Sequence, residues 1–131
     1  MKFADLVQSA DWKVEKHVPV IDAPNTCKAG EKISIQVSVG AEIAHPNTTE
    51  HHIRWIRLFF KSDNGKFAYE IGEFEFNAHG ESSEGANKGP VYTEPSAQAT
   101  IKLNSSGTLL ALAYCNIHGL WEYSKTIKVE S

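Results

Sequence analysis

The sequence predicts an all-β fold, an immunoglobulin-like antiparallel β-sandwich of about seven strands. Apolar and polar residues alternate over several short runs, which is typical of strands with one buried face. Turn signals separate these runs, and Asn64-Gly65 between two of them strongly indicates a hairpin. Only about the first ten residues are expected to form a short helix. Many short strands with frequent turns are typical of a sandwich.

Six segments carry the predicted strands: residues 33–39, 53–60, 67–76, 97–103, 107–115 and 123–129. Residues 53–60 are dense in β-branched and aromatic side chains, so they are expected at the centre of a sheet. Within residues 67–76 the apolar positions change parity at Gly72, which predicts a β-bulge there.

Two polar stretches, residues 40–50 and 77–95, lack any strand periodicity. Loops of such length inside a compact domain are usually functional or mobile. Binding residues of β-sandwiches commonly lie on loops. We therefore expect part of any site in these two stretches.

Length and charge restrict the class of protein. The 131 residues fit one domain, residues 1–131. Lys and Arg number 13 against 16 Asp and Glu, so a nucleic-acid partner is not expected. No apolar run reaches about 18 residues, and no export signal is readable, so we expect a cytoplasmic protein without a membrane partner. Cys27 and Cys115 are then thiols or metal ligands rather than a disulfide.

One cysteine and four histidines stand at predicted strand ends or in loops. They are His17, His45, His51, Cys115 and His118. Cys115 and His118 are three residues apart after a predicted strand, so a turn can direct both side chains at one ion. Thiolate with imidazole suits zinc, copper or iron. Five ligands exceed the four of a structural zinc site, and they suit a redox iron with one open position.

Three further residues have simpler interpretations. His52 follows a candidate ligand and would point the other way on a strand, so we expect a surface or packing role. His79 is expected to make a structural hydrogen bond. Cys27 is expected to be a small buried apolar residue.

The segments around the candidate ligands resemble the superoxide reductases, also called neelaredoxins, of the desulfoferrodoxin family. The resemblance rests on residues 15–19 (EKHVP), 45–53 (HPNTTEHHI), 76–82 (FNAHGES) and 115–121 (CNIHGLW), and it extends over most of the chain. The chain lacks the four N-terminal cysteines that would ligate a second iron in two-domain members. It is therefore similar to the one-iron class.

The resemblance implies a site and a reaction. His17, His45, His51 and His118 would be equatorial ligands of one iron, Fe2+ or Fe3+, and Cys115 would be its axial thiolate. The family reduces superoxide by one electron to hydrogen peroxide, and a rubredoxin or similar donor usually restores the iron. The one-iron class has an immunoglobulin-like fold and is commonly a homotetramer.

Glu15 and Lys16 are candidate catalytic residues. A positive charge at Lys16 would attract anionic superoxide to a protein of net negative charge. By resemblance, Glu15 would ligate the oxidised iron at the open position. In a regular strand Lys16 would point away from Glu15 and His17, so the roles require an irregular loop. Backbone N–H groups of residues 116–118 are expected to donate to the Cys115 sulfur.

Two other functions fit parts of the pattern. A cupredoxin-like electron-transfer protein is also a sandwich with an upstream histidine and a later cysteine and histidine. Such copper sites usually have an axial methionine, and the only methionine here is Met1. A non-catalytic immunoglobulin-like binding module would leave the histidines without a role.

Overall fold

The computed structural model describes residues 1–131, which form nine strands and one short helix. The 3₁₀ helix covers Phe3–Leu6, within the first ten residues as predicted. The strands are β1 (Gln8–Ser9), β2 (Pro19–Asp22), β3 (Thr26–Lys28), β4 (Lys32–Val39), β5 (Ile53–Ser62), β6 (Ala68–Glu75), β7 (Ser96–Lys102), β8 (Gly107–Cys115) and β9 (Gly119–Glu130). No helix is long and apolar enough to cross a bilayer.

The strands form two sheets, which confirms the predicted sandwich. The larger sheet has the order β1-β9-β8-β5-β6, with β3 also paired to β9, and the smaller sheet has the order β2-β4-β7. Every long pairing is antiparallel, whereas the short β1 and β3 pair with β9 in parallel. Sequence reasoning missed β1, β2 and β3 because two to four residues are too few to show alternation.

The core lies between the sheets and follows the predicted alternation. In β4, buried and non-buried side chains alternate from Ile33 to Val39. In β8, every second residue from Gly107 to Cys115 is buried. Burial of apolar side chains on one face of each strand stabilises the packing of the two sheets. The same alternation directs the Cys115 side chain to the inner face, at the end of β8.

The hairpin of β5 and β6 has the two predicted irregularities. Leu58 pairs with Gly72 and Phe59 with Glu70, so one residue of β6 bulges beside Gly72. The Asn64-Gly65 turn joins the strands, and the Gly65 N–H donates to the Ser62 carbonyl at 3.1 Å.

Four irregular segments meet near one end of the sandwich. The turn of residues 116–118 connects β8 to β9, where Cys115 pairs with Gly119. The long loop before β5 reaches the same end, because Ile53 at the start of β5 pairs with Cys115. The segment before β2 is the third irregular stretch at this end. The loop between β6 and β7 contacts the loop before β5, through the Thr49 hydroxyl and the His79 carbonyl at 3.0 Å.

Candidate metal centre

Four imidazole rings lie at the corners of a near-square. Measured between ring centroids, the sides are 4.9 Å for His17–His45, 4.8 Å for His45–His51, 4.9 Å for His51–His118 and 4.6 Å for His118–His17. The His17–His51 diagonal is 6.1 Å. All four of these histidines are among the residues that the sequence predicted as ligands. One point between the rings is therefore within reach of every ring.

The Cys115 sulfur lies beside this square. One ligand atom from each of His17, His45, His51 and Cys115 lies within 4.8 Å of the other three, and His118 is not part of this group. The His118 Nδ1 is 3.1 Å from the His17 Nε2, 3.2 Å from the His51 Nε2 and 3.8 Å from the Cys115 sulfur. A metal–nitrogen distance of about 2.1 Å would place neighbouring nitrogens of a square site about 3 Å apart. The spacing around His118 fits a shared metal.

His17 is held by a carboxylate and an indole. Its Nδ1 is 2.7 Å from the Glu15 Oε1, and its ring stacks on Trp121 with centroids 5.0 Å apart and planes 16° apart. The hydrogen bond to His17 is the main cause that lowers the pKa of the Glu15 carboxyl, so Glu15 stays ionised. An ionised partner at Nδ1 leaves Nε2 with the lone pair that a metal requires.

His45 has one ring nitrogen satisfied and one without a partner. Its Nδ1 is 2.7 Å from the Pro46 carbonyl, whereas its Nε2 is buried and makes no hydrogen bond. Burial is the main cause that lowers the pKa of His45 to about 4. The ring is therefore neutral near pH 7. A buried neutral imidazole with an unpartnered nitrogen is the expected state of a metal ligand before the metal binds.

His51 lies in a small turn closed by Thr48. The His51 N–H donates to the Thr48 hydroxyl at 3.0 Å, and the Thr48 N–H donates to the His51 carbonyl at 2.9 Å. Burial is the main cause that lowers the pKa of His51, so this ring is also held in its neutral form.

Cys115 and His118 are arranged by the turn between β8 and β9. The His118 N–H donates to the Cys115 sulfur at 3.4 Å, as predicted. The same prediction is wrong for Asn116, whose N–H donates to the His52 carbonyl at 3.2 Å. The Trp121 indole N–H donates to the His118 carbonyl at 3.2 Å. Trp121 thus supports two neighbouring histidines, a role that sequence reasoning missed because no local pattern indicates it.

Glu15 and Lys16 lie on an irregular segment, as their predicted roles require. Residues 11–18 form turns rather than a strand. The Glu15 carboxylate contacts His17 and lies outside the group of ligand atoms, so its predicted ligation of oxidised iron stays a prediction. Lys16 is half-buried and forms no ion pair, and its charge contributes to the lowered pKa values of His45 and His51.

The structure also locates His52, His79 and Cys27, for which the sequence predicted roles other than metal binding. His52 is buried and stacks on His79 with centroids 3.4 Å apart and planes 6° apart, which is a packing role. The His79 Nδ1 lies 3.3 Å from the Glu81 carboxylate, a structural hydrogen bond as predicted. Cys27 is buried in the core and, like Cys115, forms no disulfide.

The donor set fits iron and contradicts the copper alternative. Met1 is 99 % exposed at the chain end, so no methionine reaches the site as an axial ligand. Four imidazoles and a thiolate exceed the four ligands of structural zinc. If all five residues held one iron, they would leave room for one further ligand.

Comparisons with known proteins agree with this site. The family model described as desulfoferrodoxin matches residues 9–124. The neelaredoxin of Megalodesulfovibrio gigas is 53% identical over 130 residues, which cover 99% of this chain and 100% of that protein. The superoxide reductase of Pyrococcus furiosus is 51% identical over 125 residues, which cover 95% and 98%.

Solved structures of relatives share the whole fold. A crystal structure from Thermotoga maritima superposes with a TM-score of 0.97 at 60% identity, and it covers 100% of this chain and 99% of that chain. The reduced neelaredoxin of Archaeoglobus fulgidus superposes with a TM-score of 0.87 at 52% identity, covering 94% and 98%. The chain therefore belongs to the desulfoferrodoxin family.

Proposed function

We propose that this chain reduces superoxide to hydrogen peroxide at one iron held by His17, His45, His51, His118 and Cys115. The chain is an oxidoreductase that acts on superoxide with iron as its cofactor. A relative at 51% identity is a superoxide reductase and one at 53% is a neelaredoxin, and the cluster of His17, His45, His51 and Cys115 fits one iron. The observation that supports the five ligands is the near-square of imidazoles beside the Cys115 sulfur.

Iron, when bound, supplies the single electron that superoxide accepts. The protein supplies the thiolate of Cys115, which donates electron density and favours a ferric product. The N–H of His118 donates to that sulfur at 3.4 Å, and such a bond tunes the reduction potential. The four neutral imidazoles add no negative charge, so the site does not repel an anionic substrate.

Lys16 attracts the substrate in this proposal. Its half-buried ammonium has no carboxylate partner, and it acts on His45 and His51 from nearby. The chain carries a net charge of −3, so a positive charge at the site opposes the general repulsion of superoxide.

Glu15 has two proposed roles. As the structure has it, the carboxylate orients the His17 ring through a 2.7 Å contact. We propose that it also ligates the oxidised iron, which requires the carboxylate to leave His17. The irregular backbone of residues 11–18 would allow this movement, since no strand pairing has to break.

The electron donor is proposed to be rubredoxin or a similar small protein. Three apolar residues that lie within three sequence positions of His17, His45 and His118 are exposed. They are Val14, Ile43 and Ile117, which are 74, 43 and 58% exposed. His118 is itself exposed, so the site has an edge that a partner can approach. Apolar residues around a redox centre favour brief contacts with a donor.

We also propose a cytoplasmic homotetramer. The outer face of the larger sheet carries Phe59, Leu110 and Leu112, none of which belongs to the buried core, and a second copy could cover them. Two unpaired thiols are compatible with a reducing compartment. Light scattering of the purified protein measures the assembly, and a monomer at micromolar concentration would refute the tetramer.

The test of the activity is the amount of hydrogen peroxide formed per superoxide consumed. Reduction takes one electron and two protons and yields one hydrogen peroxide without dioxygen. Dismutation yields half as much, with dioxygen. Pre-reduced protein should give the first ratio in its first turnover, and evolution of dioxygen in that turnover would contradict the reductase reaction.

A further inference from the structure

The ligand His51 is held differently from its neighbours. The Nδ1 atoms of His17 and His45 each have a hydrogen-bond partner within the protein, at 2.7 Å in both cases. The His51 ring has no hydrogen-bond partner at Nδ1, and its only contact within hydrogen-bond distance is between Nε2 and the His118 ring. The direction of the His51 ring therefore depends on the backbone that carries it, and that backbone belongs to no strand.

Asn87 holds the two residues before His51 from a distant loop. Its amide Nδ2 donates to both carboxylate oxygens of Glu50, at 3.1 and 3.0 Å. Its Oδ1 accepts from the Thr49 N–H at 2.7 Å, and its own backbone N–H donates to the Thr49 hydroxyl at 3.1 Å. Both ends of the Asn87 amide are thus used to bind residues 49 and 50.

The loop that carries Asn87 has a hydrogen-bonded base. The Gly80 N–H donates to the Val91 carbonyl at 3.0 Å, and the Gly89 N–H donates to the Gly80 carbonyl at 2.9 Å. The Tyr92 hydroxyl donates to the Asn87 carbonyl at 3.1 Å. Asn87 itself has φ 63°, a left-handed conformation that asparagine tolerates better than most residues. The loop therefore presents the Asn87 amide in a defined direction.

Asn116 is the second residue that holds the His51 segment. Its Nδ2 donates to the Glu50 carbonyl at 2.9 Å, and its Oδ1 accepts from the His52 N–H at 2.9 Å. Asn116 follows Cys115 directly, so these two bonds join the segment to the turn that carries Cys115 and His118. Asn87 holds the same segment from a loop that contributes none of the five proposed ligands.

We propose that Asn87 is a positioning residue for the metal ligand His51. By holding Thr49 and Glu50, it fixes the backbone from which His51 reaches the iron. The inference rests on the proposed ligand set. Partners that orient metal ligands typically contribute 10- to 100-fold to metal affinity, and an exposed asparagine acting through the backbone is expected at the lower end, about tenfold.

The test is the rate at which Fe2+ leaves the loaded protein into an excess of chelator. Asn87→Gly removes the amide and keeps the left-handed backbone accessible, so folding is least disturbed. Asn87→Ala removes the amide as well and adds backbone strain. Both variants should lose iron about tenfold faster than the parent protein. The visible spectrum of the oxidised iron should also shift, because the geometry of one ligand has changed.

Two matched controls separate positioning from general weakening of the loop. Ser83→Ala changes an exposed residue of the same loop whose side chain makes no hydrogen bond. Thr93→Val removes a hydroxyl that accepts from the Ala78 N–H at 3.2 Å at the loop base, and it leaves the Asn87 contacts to Thr49 and Glu50 in place. Both controls should lose iron at close to the parent rate and keep the parent spectrum.

The experiment distinguishes failure of the role of Asn87 from failure of the proposed ligand set. Iron loss from Asn87→Gly within about twofold of the parent rate, with an unchanged spectrum, would overturn the inference. Equal acceleration in Asn87→Gly and Thr93→Val would also overturn it, since loop stability alone would then explain the effect. Failure of the parent protein to hold one iron would instead refute the ligand set on which the inference rests.

Discussion

His17 and His51 lie opposite each other across the metal centre, with ring centroids 6.1 Å apart and ring planes inclined by 28°. Each lies closer to the two histidines between them, at 4.6 to 4.9 Å. The spacing fits one shared site, in which His17 and His51 would hold the same metal ion from opposite sides.

Replacement of Cys115 tests the thiolate. Cys115→Ser should lose reductase turnover and the sulfur-to-iron charge-transfer band, because a hydroxyl is a far weaker donor to iron than a thiolate. The measurements are superoxide consumption and the visible spectrum of the oxidised protein. Cys27→Ala is the matched control, since Cys27 is buried in the core and lies outside the ligand cluster. Full activity in Cys115→Ser would exclude Cys115 as the axial ligand.

Replacement of Lys16 tests electrostatic attraction. Lys16→Ala should slow the second-order reaction with superoxide by about two- to tenfold at low salt, and it should flatten the dependence of that rate on ionic strength. Iron content should stay unchanged. Lys13→Ala removes a charge on the same segment at an exposed position and serves as the control. An identical rate and salt dependence in Lys16→Ala would remove this residue from the mechanism.

Replacement of Glu15 separates its two proposed roles. Glu15→Ala should keep most superoxide reduction but change the spectrum of the oxidised iron, at high or at low pH. It should also release Fe2+ faster, because the 2.7 Å contact that orients His17 is lost. Glu42→Ala, an exposed carboxylate in the loop before His45, is the control. An oxidised spectrum that matches the parent at every pH would show that Glu15 never ligates.

The Glu81 carboxylate gives a pH prediction away from the ligands. The backbone N–H of His79 donates to it at 2.6 Å, and this bond is the main cause that lowers the pKa of Glu81. Since the folded-state pKa is the lower one, the unfolded chain binds more protons below pH about 4.5, and stability rises with pH in that range.

The parent protein should therefore be more stable than Glu81→Gln above pH about 4.5. That difference should shrink as the pH falls through the lowered pKa. Chemical denaturation of both metal-free proteins between pH 3 and 7 measures it. A difference that stays constant or grows on acidification would contradict the assignment of the His79–Glu81 contact.

Most strands, and the pairing of Cys115 with His118 in one turn, were predictable because their signals are local. Alternation in residues 33–39 reports one-sided burial directly, and Cys115 and His118 are close in the chain. The contacts that hold the loops around the metal centre were not predictable. Asn87 contacts Thr49 across 38 residues, and the stack of His52 on His79 joins two separate loops. Such contacts depend on how loops fold onto one another, and they leave no periodic pattern in the sequence.

The proposed site requires His17, His45, His51, His118 and Cys115 to hold one iron. The most direct measurement is the metal content of protein produced with iron, with a visible spectrum before and after reduction by ascorbate. We expect about one iron per chain, coloured when oxidised and bleached on reduction. We also expect His45→Ala, which removes the buried unpartnered Nε2, to lose that iron. One copper per chain without iron, or zinc alone, would refute the iron site.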